Sequence, residues 1–180
     1  MIDQIIVLAC DFGGNKKLRR PFEERGKSMS TNPIANSRAS SSELLHAIKL
    51  AFHVHSGQSD KTGETFFSHC KRVADTVYGD DQRTVAYLHD VVEKGENWTL
   101  ERLLQEGFHP VIVDAVDALT HRSGESDEAF VKRAAANGIA RPVKVADLQD
   151  NLQQALAAGL DASKYESGLS IIESLSNRRG

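Results

Sequence analysis

The segment Asp81–Glu93 contains the run Thr84-Val85-Ala86-Tyr87-Leu88-His89-Asp90-Val91-Val92-Glu93, the most apolar stretch of the chain. Its spacing predicts a buried helix, and in the middle of that helix sit an imidazole and a carboxylate. Burying both costs several kcal/mol unless something pairs with them. Neighbouring helical residues splay by roughly 100°, yet His89 and Asp90 can both reach one cation lying over their turn. Imidazole and carboxylate suit Mn²⁺, Fe²⁺ or Zn²⁺. A satisfied core histidine beside a surface aspartate is the alternative. Glu93 lies four residues after His89 and three after Asp90, so one continuous helix would put all three on one face.

Outward from this run the chain reads as helices. Ser41 and Ser42 precede Glu43 and the stripe Leu44, Ile48, Ala51 and Phe52, a capped amphipathic helix ending near Gly57. A polar loop from Gly57 to Thr65 leads to a second helix, Ser68–Tyr78, stopped by Gly79. After the run, Thr99 caps a short helix through Glu106, and Pro110 opens another with Val111, Ile112, Ala115, Val116 and Leu119 on one stripe. Three more follow: Glu125–Ala136, Pro142–Ala157 and Ala162–Ser176. Hardly any segment alternates with period two. The expected fold is all-α, one helical bundle of seven or eight helices over residues 43–177.

Residues 1–42 read as a flexible or artefactual extension. Gly13-Gly14, the basic cluster from Lys16 to Lys27 and the Ser/Thr/Asn run up to Ser42 offer too little apolar surface to offset ordering. Met29 lies within it, so residues 1–28 can come from an upstream start. Ile5–Cys10 superficially resembles a lipoprotein signal, but no positive charge precedes it and the apolar run is short.

Composition narrows the function. The 180 residues, 40% hydrophobic, amount to one domain with a real core. Twenty-two basic against 25 acidic residues leave a net charge of −3, the wrong sign for a nucleic-acid binder held by bulk charge. The two cysteines cannot build a disulfide framework, which favours a reducing, cytoplasmic setting. No run approaches the roughly eighteen apolar residues that cross a bilayer, so neither nucleic acid nor membrane is an expected partner.

Two further segments bear on His89 and Asp90. His69 stands near the start of the second helix, where its ring can aim across at them. The helix Pro142–Ala157 carries Asp147, Asp150, Asn151 and Gln154, with Asp147 and Asn151 at i, i+4 beside the apolar Val145, Leu148, Leu152 and Ala155. This polar line is either a solvated stripe or one wall of a buried site. Together His69, His89, Asp90 and Asp147 form a plausible divalent-metal set with room for water.

The chain resembles the HD-domain metal-dependent phosphohydrolases, and within them the small alarmone hydrolases and the hydrolase domain of RelA/SpoT proteins. Four segments carry the resemblance in order: Ala51-Phe52-His53-Val54-His55-Ser56-Gly57-Gln58, Phe66-Phe67-Ser68-His69, Tyr87-Leu88-His89-Asp90-Val91-Val92-Glu93 and Val143-Lys144-Val145-Ala146-Asp147-Leu148-Gln149-Asp150-Asn151. Asp114–Thr120 fits the same pattern. The resemblance covers residues 43 to 175. It implies an HD-type bundle in which His69, His89, Asp90 and Asp147 hold a divalent metal, Mn²⁺ above others. Glu93 would then orient or deprotonate water, Asn151 would line the nucleotide pocket, and Lys61 would meet the substrate's phosphates or base. The implied reaction removes the 3′-pyrophosphate from guanosine tetra- or pentaphosphate.

The chain also departs from the family. Lys94 stands where the alarmone hydrolases have an aspartate, the loop Ser59-Asp60-Lys61 is short and nearly neutral, and Cys70 replaces the usual proline. Hydrolysis of another nucleotide or phosphoester, and nucleotide sensing without turnover, therefore stay open, as does a homo-oligomer. Cys70 reads as a small buried filler or a thiolate ligand. His55 reads as a buttress hydrogen-bonded to the site or as a helix C-terminal histidine. His46, His109 and His121 read as surface or loop residues, and Arg133 and Arg141 as facing either phosphate or water.

Overall fold

The computed structural model describes residues 34–177, with side chains from Ser41 onward. The basic cluster, Met29 and the Ile5–Cys10 run lie outside the described residues. The described chain is all-α: α1 Ile34–Val54, α2 Phe66–Thr76, α3 Asp80–Leu88, α4 Val91–Lys94, α5 Leu100–Gln105, α6 Pro110–Leu119, α7 Asp127–Ala136, α8 Ala140–Ala157 and α9 Ser163–Asn177. No helix among them is long and apolar enough to cross a membrane.

Local chemistry sets most boundaries. Thr99 and Ser126 accept hydrogen bonds from the backbone N–H groups of Arg102 and Ala129, capping α5 and α7. His109 Nδ1 caps α6 by accepting from the Val111 N–H, with Pro110 in its first turn. Asn137 Oδ1 accepts from the N–H groups of Ile139 and Ala140 and starts α8 two residues ahead of Pro142.

Two elements differ from the sequence reading. Helix α1 begins at Ile34, not after Ser42. The Ser and Asn residues that the sequence reading placed in the extension cost only tenths of a kcal/mol each in a helix. The expected helix over 81–93 is two helices joined at His89–Asp90, where Asp90 takes φ −104° and ψ 0°. His89 Nδ1 bonds the Ala86 carbonyl at 2.7 Å, the oxygen that would otherwise accept from the Asp90 N–H four residues on. The break turns both side chains toward one point.

Helix α3 packs on α1, α2, α6 and α8; α8 packs on α2, α3, α6, α7 and α9. One core cluster gathers Leu88, Val73, Val85, Val116 and Val143 around α3, and a second gathers Leu148, Ala155, Tyr165 and Ile172 between α7, α8 and α9. Gly168 comes so close to Leu148 that a Cβ there would lie 3.0 Å from its methyl carbons. α3 and α8 thereby become the fixed frame on which the polar residues are mounted.

Candidate metal centre

His69 projects from the first turns of α2, His89 and Asp90 from the α3–α4 turn and Asp147 from the middle of α8, and all four are buried. His69 Nε2 lies 3.3 Å from His89 Nε2. Asp147 Oδ1 stands 3.5 and 3.6 Å from these two nitrogens, and Asp90 Oδ2 3.9 and 3.4 Å. For bonds of about 2.1 Å, the edge of a tetrahedral ligand set is about 3.4 Å. His69, His89 and Asp90 each place one ligand atom within 4.8 Å of the others; Asp147 approaches the set from the side of the two imidazoles.

The donor set fits a cation for a further reason. His69 Nδ1 is 2.6 Å from Asp150 Oδ2, and His89 Nδ1 is 2.7 Å from the Ala86 carbonyl. Both partners are acceptors, so each Nδ1 carries a hydrogen and each Nε2 is the nitrogen left to face a cation. Two Nε2 atoms 3.3 Å apart beside two carboxylates call for positive charge at this point, which a proton on His69 supplies when no metal is bound. Burial alone would lower the His69 pKa, but its hydrogen bonds to Asp147 and Asp150 outweigh this and raise it to about 9. Burial raises and His89 and Lys94 lower the Asp90 pKa, which ends below the usual carboxylate range. Asp147 falls further, because Lys144 and both imidazoles overcome its burial.

The other expected site residues surround the same cavity of about 290 Å³, which is lined by Lys61, Glu93 and Asn151 together with the four. Asn151 Nδ2 donates to Asp147 Oδ1 at 2.6 Å, and Lys61 Nζ donates to Asn151 Oδ1. Glu93 comes from α4 on its own turn, and its carboxylate accepts from the His121 backbone N–H. The stripe on α8 is thus a site wall, not a solvated face.

Several open readings resolve. Cys70 is fully buried and its thiol pKa is pushed far up, chiefly by burial, so it is packing. His55 is buried, but its Nδ1 bonds Gln58 Oε1 at 2.8 Å and reaches no site ligand; it backs His69 through the Phe66 ring instead. Arg133 spends its donors on Glu125 and on the carbonyls of Asp117 and Thr120. Arg141 donates to Ser176 Oγ.

Functional residues also emerge that sequence reasoning missed. Asp150 orients His69 and is held by Arg72 Nε at 2.6 Å and Gln154 Nε2 at 2.5 Å; Arg72 also reaches Asp60 in the 57–65 loop. Lys144 and Lys164 add ammonium groups to the cavity, and Tyr165 forms part of its wall. A second cavity of about 250 Å³ shares Glu93, Lys144, Lys164 and Tyr165 and extends to His121 and Asp127. The signal for Asp150 was its place on the stripe, three residues after Asp147.

No family model matches the chain, and no curated protein matches it. Among solved structures it is similar to a metazoan ortholog of SpoT, described as hydrolysing ppGpp and playing a role in starvation responses. The TM-score is 0.59 at 20% identity, covering 77% of this chain and 96% of that one. The two chains share a fold, which in the described residues of this one is all-α.

Proposed function

We propose that the chain is an HD-type metal-dependent phosphohydrolase, with His69, His89, Asp90 and Asp147 as ligands of one divalent cation, Mn²⁺ first. Its substrate is a guanosine polyphosphate, from which water removes the 3′-pyrophosphate. The domain is that of residues 43–177, extended upstream by the start of α1, and a cytoplasmic setting suits it. The observation that carries this reading is the convergence of two Nδ1-protonated imidazoles and two carboxylate oxygens on one point inside a bundle shared with a ppGpp hydrolase.

A divalent cation held by these four residues would supply Lewis acidity, lowering the pKa of water toward neutrality and offsetting phosphate charge. The chain's own residues do the rest. Asp150 holds the His69 ring and tautomer, and Ala86 O does so for His89. Glu93, on the cavity wall, takes the proton of the attacking water or holds its lone pair in line with phosphorus. Lys61, Lys144 and Lys164 offset charge on the phosphates, and Asn151, bonded to both Lys61 and Asp147, sets the spacing between them.

The test is Mn²⁺-dependent release of pyrophosphate from guanosine tetraphosphate, together with elemental analysis. Near one metal ion per chain and pyrophosphate release are expected. His89→Ala and Asp147→Ala each lose the metal and at least about a hundredfold in rate. A metal-replete chain that releases nothing, while a control hydrolase does, overturns the substrate. Lys94 on Asp90 favours a second reading, hydrolysis of another phosphoester or binding without turnover, and a nucleotide panel with several metals separates these.

A further inference from the structure

Both carboxylates of the centre are divided in the same way. Asp90 turns Oδ2 toward the imidazoles, while its Oδ1 is 2.7 Å from Lys94 Nζ. Asp147 turns Oδ1 toward them, while its Oδ2 is 3.0 Å from Lys144 Nζ. Each carboxylate therefore offers one inner oxygen, and an ammonium closes the other.

Lys94 is held for this arrangement. Its N–H donates to the Asp90 carbonyl at 2.9 Å, its own carbonyl accepts from Gln58 Nε2 at 3.0 Å, and its Nζ lies 5.0 Å from the centre of the Phe66 ring. The chain then turns sharply at Gly95, where a Cβ would come within 2.5 Å of the Val91 carbonyl oxygen.

Charge counting gives the consequence. Two ammoniums cancel the two carboxylates before any metal enters, and imidazoles whose Nε2 binds a metal add no negative charge to the count. A dication on the inner atoms would keep its charge uncompensated, with Lys61 and Lys164 on the same wall and Glu93 as the remaining acid. The complement to that excess is a tetrahedral oxyanion such as a phosphoryl group.

We infer, resting on the metal reading above, that Lys94 makes the centre a coupled metal–oxyanion site, in which cation and phosphoryl group each raise the other's affinity. Lys94 is a positioning residue: it fixes Asp90 in one-oxygen ligation and withholds the negative charge that would let the metal bind well alone. Linkage makes the effect reciprocal.

The test is Mn²⁺ titration calorimetry on the full chain, in chloride and in sulfate at equal ionic strength, sulfate serving as a weakly chelating tetrahedral anion. Wild type is expected to bind Mn²⁺ about tenfold tighter in sulfate. Lys94→Gln should bind about tenfold tighter than wild type in chloride and gain less than about twofold from sulfate. Lys94→Arg, which keeps the charge, should restore the wild-type sulfate dependence, a rescue that a merely structural role would not show. Should Lys94→Gln not fold, Lys94→Met reads the same quantity. Unchanged or weaker Mn²⁺ binding by Lys94→Gln in chloride, or an unchanged gain from sulfate, overturns the inference while leaving the metal centre standing. A wild-type chain that binds no Mn²⁺ in either medium overturns both.

Discussion

Phe130 borders two charged networks built to opposite plans, with its ring centre 5.4 Å from the Arg133 guanidinium and 4.3 Å from Lys144 Nζ. Around Arg133, every interaction closes: Nε and one terminal nitrogen grip the two Glu125 oxygens at 2.8 and 2.6 Å, and the terminal nitrogens also reach the carbonyls of Asp117 and Thr120. Donors meet acceptors, and the 120–126 connection is stapled to α7. Around His69 the acceptors crowd together: two imidazole Nε2 atoms lie 3.3 Å apart, and one oxygen each of Asp90 and Asp147 lies within 3.9 Å of both. A closed network stabilises by itself, whereas an open one is complete only with something added. The difference separates a structural ion pair from a site, although both contain the same residue types.

Substitutions can break that contrast, beginning with the largest effect. Asp150→Asn removes the carboxylate behind His69 and should weaken Mn²⁺ binding by about 10- to 100-fold in calorimetry. Equal affinity would mean that His69 needs no partner. Arg133→Met should do the reverse, costing about 1–3 kcal/mol in urea unfolding and leaving Mn²⁺ affinity within about twofold.

A smaller effect concerns pH. Burial holds the His55 imidazole below its ordinary 6.5, and its Nε2 has no hydrogen-bond partner. A depressed folded-state pKa means that the unfolded chain binds the extra proton, so the stability is full above about pH 6.5 and falls as the pH drops below it. His69, shifted upward, acts in the other window: its stabilisation is full below about 6.5 and is lost as the pH rises through about 9. His55→Phe should therefore flatten the loss of stability between pH 6.5 and 5, measured by urea unfolding. A slope equal to wild type would assign that loss to the carboxylates. Smallest of all, Lys71→Ala removes an exposed pair with Asp75 and should leave the melting temperature unchanged.

Much of the candidate site, as a cluster of side chains, was legible in the sequence because its signals are local. A polar pair inside the most apolar run marked His89 and Asp90, and the acid-bearing line on an otherwise apolar helix marked Asp147 and Asn151. Asp150 escaped because Asp147 and Asp150 sit on the same stripe of α8. Only the rotation of α8 against α2 and α3 sends the first toward both imidazoles and the second behind one. The kink at His89–Asp90 escaped because its cause, a side chain taking the Ala86 carbonyl, leaves no mark in periodicity. Lys94 was visible as a departure, but its bond to the outer oxygen of Asp90 was not.

By itself the sequence determined the all-α class, most helix boundaries and the residue types gathered for a cation, because helical period, caps and the cost of burying charge act over a few residues. The tertiary structure alone decided which oxygen of each carboxylate faces inward, which nitrogen of each imidazole is a donor, and which lysines close the set. Those choices depend on angstrom-scale approach between helices up to 81 positions apart, and no local pattern encodes it.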